Sequence, residues 1–300
     1  MGGIVAAVVA IAVVVPASPE AGRQQRERSI VVGVASSNDV PVTDLGPADF
    51  TVREDGIARE ILRVEAAPLP THLMLLVDDS QITQPSITYL RTALTTFVQR
   101  ISAAVPEGQA GLQTQLALWT FGERPTQRVD FTTTPALVER AIGRLFHISG
   151  SGSYLLDGVI EVSKAMKKKE AQRSVIVAFV SEDGPEFSNR TSKDASDALQ
   201  DAGAQLFAVT LQVGNQRTFS TEGRERAILL GDVTRTSGGF NKVVLTAQSL
   251  ESGFTTIGNN ITGRYLVTYG RRDTLVPPSK LEVDVKRDGV QVRASRWPGR

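Results

Sequence analysis

The sequence predicts an α/β fold: a doubly wound, mostly parallel sheet inserted between N- and C-terminal β segments that form a small β-sandwich. Three observations lead there. Residues 73–77 (LMLLV) and 175–180 (VIVAFV) are apolar without interruption, as in strands covered by helices on both faces. Strand and helix patterns alternate between them and beyond, which implies right-handed βαβ crossovers. Both ends of the chain revert to short alternating strands with Asp-Gly turn signals.

In chain order, residues 4–15 are an unbroken apolar stretch. It falls short of the ~20 residues that span a bilayer as a helix and suits a signal-peptide core. Small residues at Val15-Pro16-Ala17 offer a cleavage point, so 1–17 reads as a signal peptide. An uncleaved anchor is the alternative, and only that would bring in a membrane. Residues 18–28 are polar and read as a linker. The N-terminal β segment, 29–68, holds a strand over 29–35, a turn at Asn38-Asp39 with Pro41, a strand over 50–54, the turn Asp55-Gly56 and a return strand over 57–64.

The α/β domain covers 69–261. After strand 73–77, Pro85 suits the first turn of a helix whose Ile87, Leu90, Leu94, Phe97, Val98 and Ile101 share one face. Residues 116–121 are a strand. Pro135 opens a helix with Thr134 as N-cap and Leu137, Val138, Ala141, Ile142 and Leu145 as its apolar face. A third helix covers 155–166, and strand 175–180 follows. A helix over 192–202 stops at Gly203, a strand covers 206–211, and a helix over 225–236 stops at Gly238-Gly239. The last helix covers 247–261. The C-terminal β segment, 262–297, has strands at 265–269, 281–286 and 290–294, with a turn at Asp288-Gly289, and is expected to pack with 29–68.

Composition narrows function. The net charge is +1, with 22% charged residues, so no clustered basic face points to nucleic acid. The run Lys167-Lys168-Lys169 sits at a helix end, where cations suit the dipole. The absence of cysteine rules out disulfides, thiol catalysis and cysteine metal sites. Residues 150–153 lack the Lys-Ser/Thr of a phosphate loop, so no nucleotide is expected. No Gly-x-Ser-x-Gly elbow is present, and neither His72 nor His147 stands in a triad order, so the chain reads as non-enzymatic. His72 reads as structural and His147 as a loop residue.

Ligands of open α/β sheets bind at the carboxyl ends of the strands. Three loops there are rich in oxygen: Asp78-Asp79-Ser80-Gln81-Ile82, Gly150-Ser151-Gly152-Ser153 and Ser181-Glu182-Asp183-Gly184. Hard oxygen donors suit Mg²⁺ or Mn²⁺, and Ca²⁺ less well.

Asp78-x-Ser80 resembles the opening of the metal-ion-dependent adhesion site of von Willebrand factor A domains, Asp-x-Ser-x-Ser, whose fold is Rossmann-like. Ile82 stands where the second serine would be. Residues 152–157 (GSYLLD) resemble the family's Gly-Thr-x-Leu-Tyr-Asp, with Ser153 for threonine. Anchoring the third loop on Gly184 makes Asp183 its acid, whereas counting from the strand makes it Glu182. Residues 41–45 and 49–56, 184–190, 236–239 and 265–269 are similar to segments of a group of exported acidobacterial proteins with this domain.

The resemblance implies an exported, periplasmic or secreted binding or adhesion module. Asp78, Ser80, Ser153 and Asp183 would hold Mg²⁺ or Mn²⁺, and an acidic group of a protein or surface ligand would fill the open coordination position. With Ile82 replacing a hydroxyl, a metal-free structural or assembly module of the cell envelope stands as the alternative. From the residues alone, Ser153 also reads as a helix N-cap, and Asp79 as an acid behind the ligands or facing solvent.

Overall fold

The two uninterrupted apolar runs become the centre of the sheet because both faces of a strand are covered there. The structure, a computed structural model, describes residues 25–70, 72–104, 114–169, 173–214, 220–272 and 278–295. The signal-peptide stretch and residues 18–24 lie outside the described residues, as do 296–297.

Thirteen strands are described. The first four are β1 (Gln25–Ser36), β2 (Phe50–Glu54), β3 (Ile57–Arg59) and β4 (Ile61–Ala66). The central six are β5 (His72–Val77), β6 (Gln115–Thr120), β7 (Thr126–Thr132), β8 (Ser174–Ser181), β9 (Ala204–Leu211) and β10 (Asn241–Val244). The last three are β11 (Arg264–Arg272), β12 (Leu281–Val285) and β13 (Val290–Ala294). The central sheet runs β10-β9-β8-β5-β6-β7, parallel except for the edge strand β7, and every residue of β5, β8 and β9 is buried.

Period-two alternation divides each central strand between two cores. Leu73, Leu75 and Val77 face α1 (Ile87–Ala103), α2 (Pro135–Gly143) and α7 (Leu250–Thr262). Met74 and Leu76 face α3 (Leu155–Lys168), α4 (Ser192–Ala202) and the π-helical turn Leu229–Val233. That turn joins α5 (Thr221–Ile228) to α6 (Thr234–Thr236). The chain leaves β5 toward β6 but leaves β8 toward β9, so the order reverses between β5 and β8, and the crevice of a doubly wound sheet opens there.

The flanks pair across the insertion. β1 lies antiparallel between β11 and β13, β4 borders β11, and a second sheet of order β12-β2-β3 closes the sandwich. Its core contains Val32, Val34, Phe50, Val52, Val267 and Leu281. Asp55 (φ 49°) and Gly56 (φ 80°) both have positive φ, as a two-residue hairpin of this twist requires.

Several sequence expectations are corrected. β1 begins at Gln25, inside the stretch read as linker; Glu27, exposed, and Arg28, half-buried, pair with β11. The return strand 57–64 divides at Glu60, because its first half pairs with β2 and its second with β11. Residues 225–236 are not one helix: α5 starts at Thr221, and a π turn interrupts before α6. Thr134 makes no side-chain cap bond, and Leu137 is 44% exposed rather than core. β7 and β10 were not anticipated: both are edge strands with mixed polarity, which leaves little periodic signal.

Candidate functional site

β5 ends at Val77, so Asp78 is delivered to the crevice between β5 and β8. It is fully buried. Its Oδ1 accepts from the Ser80 amide (2.9 Å) and its Oδ2 from the Ser181 amide (3.2 Å). Among the described residues, no ion pair reaches it. Burial pushes its carboxyl above the usual range, against the lowering by the Ser80 side chain and those two amides, and the neighbouring Asp79 adds to the rise. The hydroxyls of Ser80 and Ser181 are buried without a hydrogen-bond partner, so two unspent oxygens lie on the residues whose amides hold Asp78.

Asp79 is not solvent-facing. It is 1% exposed, accepting from the Gly122 amide (2.7 Å) and from Arg128 Nη2 (2.9 Å). A Cβ on Gly122 would lie 2.4 Å from the Ser80 amide nitrogen, so this close approach of β6's loop needs glycine.

Backbone bonds stitch the three oxygen-rich loops together. The Ile148 amide donates to Asp79 O (2.8 Å), the Ser153 amide to Pro185 O (2.9 Å) and the Phe187 amide to Ser153 O (2.7 Å). Ser153 is therefore brought to this edge, but its hydroxyl donates to Glu186 Oε2 (3.2 Å). It does not cap α3, whose N-cap is Tyr154. Glu186 also accepts from the Leu155 and Ser188 amides (3.1 and 3.2 Å), and burial pushes its carboxyl up. Sequence reasoning missed Glu186. Its only signal was an acid two residues past Gly184, where the third oxygen-rich loop ends.

Asp183, the expected third-loop ligand, is turned away. Its carboxylate accepts from the Val213 and Gly214 amides (2.9 and 3.1 Å) and so ties the third loop to the end of β9. Glu182 is half-buried, and its carbonyl accepts from Arg226 Nη2 (2.7 Å). Ile82 is 41% exposed and packs over Gly184, its Cγ2 3.0 Å from where a Cβ there would be. Of the four expected ligands, Asp78 and Ser80 stand together at this edge, beside Ser181. Ser153 and Asp183 are engaged elsewhere, and among the described residues no three His, Cys, Asp or Glu side chains converge on a metal position.

Beside this edge lies an open groove of about 660 Å³. Ile82, Pro85, Leu211, Val213, Leu245 and Ala247 line it. Val213 and Leu245 are 68% and 67% exposed, and Phe187, 51% exposed, covers Gly152 nearby. Large side chains exposed this far cost free energy in water unless something covers them.

Residues 73–185 match the family model for the von Willebrand factor type A domain. Among solved structures, the fold is similar to proximal thread matrix protein 1 from the mussel byssus. Identity there is 13% and the TM-score 0.51, over 70% of this chain and 50% of that one. The chain thus spans about half the length of the mussel protein. It also matches the von Willebrand factor domain of the type V pilus tip protein Mfa5 from Porphyromonas gingivalis (13% identity, 65% and 96% coverage, TM-score 0.49). A third match is the pilus adhesin SpaC from Lactobacillus rhamnosus GG (11% identity, 82% and 47% coverage, TM-score 0.49). No curated protein sequence matches this chain.

Proposed function

We propose that this chain is an exported, non-enzymatic binding module that engages a partner protein through the carboxyl-end face of its central sheet. The observation that carries the reading is the open apolar groove at that edge, with Val213 and Leu245 largely exposed on its rim. The occupant is a partner segment presenting an apolar side chain to Ile82, Leu211 and Leu245. The A-domain match over 73–185 supports a binding role, and the groove lies near the strand ends where open α/β sheets take ligands. The apolar stretch 4–15 supports export, and the flank motifs 41–45 and 49–56 support kinship with exported acidobacterial A-domain proteins.

A second reading rests on Asp78: a Mg²⁺ or Mn²⁺ ion held by Asp78 and Ser80, with an acidic group of the partner completing the coordination. The ion would supply a positive charge that recognises a carboxylate. The chain's own part is to hold Asp78 by two backbone amides and to leave the Ser80 hydroxyl unspent.

One pair of experiments separates the readings. The full chain, cross-linked to proteins of its native envelope fraction, should yield a defined adduct that Leu245→Asp removes and the distant Gln200→Ala does not. An adduct indifferent to Leu245→Asp would overturn the groove reading. Thermal melts with Mg²⁺ or Mn²⁺ test the ion: stabilisation abolished by Asp78→Ala supports it, and no shift at millimolar ion sinks it. Export is tested by the N-terminus of the protein recovered from its native cells, which should begin after Ala17.

A further inference from the structure

At the opposite, amino end of the sheet, where the sandwich meets the α/β domain, a cavity of about 300 Å³ is lined by charged and hydroxyl side chains. It reaches the lower size of small-molecule sites. Arg28 enters from β1, Arg271 and Tyr269 from β11, Glu54 from β2, and Arg173 and Ser174 from the start of β8.

Among the described residues, arginines outnumber carboxylates in the lining. Glu54, 2% exposed, is shared: its Oε2 meets Arg59 Nε at 3.0 Å and Arg271 Nε at 3.7 Å, and its Oε1 accepts from the Tyr269 hydroxyl at 3.0 Å. The other acid of the lining, Glu27, is 60% exposed at its side chain and lies 3.8 Å from Arg63. One buried carboxylate therefore faces Arg59 and Arg271, and Arg28 and Arg173 add further positive charge. Arg173 is 8% exposed, and burial alone pulls its guanidinium down to about 10. Its Nη atoms donate to the carbonyls of Pro68 and Ile261, which fix it in place.

Two donors remain unspent. Arg28 Nε and Ser174 Oγ are both buried and have no hydrogen-bond partner, and Ser174 is 2% exposed. Buried donors left unmade cost about 1–3 kcal/mol each, so the cavity is built for an acceptor that protein atoms do not supply.

We propose that this junction cavity binds a small oxyanion, the phosphate or carboxylate group of a low-molecular-weight ligand. The unspent donors Arg28 Nε and Ser174 Oγ hold its oxygens, and Arg173 and Arg271 supply the field. Guanidinium–oxyanion hydrogen bonds are among the strong ones. Because Arg28 belongs to the sandwich and Ser174 to the central sheet, the bound anion also ties the two together. The site is independent of the carboxyl-end groove.

Calorimetry and thermal melts on the full chain, at fixed ionic strength, test this with inorganic phosphate in one arm and citrate in the other. One saturable site with a raised melting temperature is expected in at least one arm, and the arm that responds tells phosphate from carboxylate. Arg28→Gln should weaken binding about tenfold or more and leave the ligand-free melting temperature near that of the native chain. Ser174→Ala should weaken it too. If Ser174→Ala does not fold, Arg28→Gln decides alone, since Arg28 is only half-buried. No saturable heat in either arm, or affinity unchanged in Arg28→Gln, overturns the proposal.

Discussion

At Asp78 the loop after β5 and the end of β8 deliver backbone amides to a common carboxylate. Burial nevertheless holds its carboxyl above the ordinary 3.8, with Asp79 adding to the shift. A raised carboxyl pKa means the folded state prefers the protonated form. The stabilisation it brings is complete below 3.8 and is lost as pH rises through the folded value. With divalent ions chelated, Asp78→Asn should therefore gain thermal stability relative to the native chain as pH rises above 3.8. A difference that stays flat with pH would remove Asp78 as its source. Asp78 and Ser80 were legible in the sequence because an uninterrupted apolar run fixes where a buried strand ends. The inward acid of the third loop was not. Asp183 and Glu186 are three residues apart in one loop, and local pattern does not say which turns in. The choice follows from Ser153 docking against Glu186 while the Val213 and Gly214 amides take Asp183.

Among the elements, α4 shows local signals at their strongest. Thr191 Oγ1 accepts from the Asp194 amide, and the Asp194 carboxylate accepts from the Thr191 amide (2.9 Å), a closed capping box. Gly203 ends the helix at φ 60°, a left-handed conformation that a Cβ disfavours. Thr191→Ala and Gly203→Ala should each cost about 1 kcal/mol, read from denaturant midpoints at unchanged slope. An unshifted midpoint would show that the helix ends are held by packing alone. Elsewhere tertiary demands overrode the local signal. The stretch 57–64 is one strand by pattern, yet it divides at Glu60 because β3 completes the β2 sheet and β4 must reach β11.

At the scale of the molecule, Asp39 joins sandwich to α/β domain. It sits in the turn after β1 at φ 62° and pairs with Lys242 of β10 (2.7 Å) and Arg293 of β13, and its carbonyl accepts from Asn260 of α7 (2.9 Å). Burial would raise its carboxyl, but Lys242 and Arg293 outweigh that and hold it below the ordinary value. A depressed carboxyl pKa contributes stability above 3.8 that is lost as pH falls through the folded value. Asp39→Asn should thus melt lower than the native chain at neutral pH and converge with it in acid. Equal melting temperatures at neutral pH would show that the junction rests on other contacts, such as Arg264, buried between Gln205, Gly238 and Asn260.

The sequence by itself determined the α/β class, the order of the central elements and the position of Asp78 and Ser80. Hydrophobic periodicity and turn chemistry are local, and they fix where strands and helices begin and end. The tertiary structure alone decided that β7 and β10 form the edges, that Glu186 rather than Asp183 turns toward Ser153, and that Arg28 and Ser174 meet in one cavity. Those outcomes depend on which polar groups are left without partners once distant strands pack. That is a property of residues as distant in sequence as Arg28, Ser174 and Arg271, which no local pattern carries.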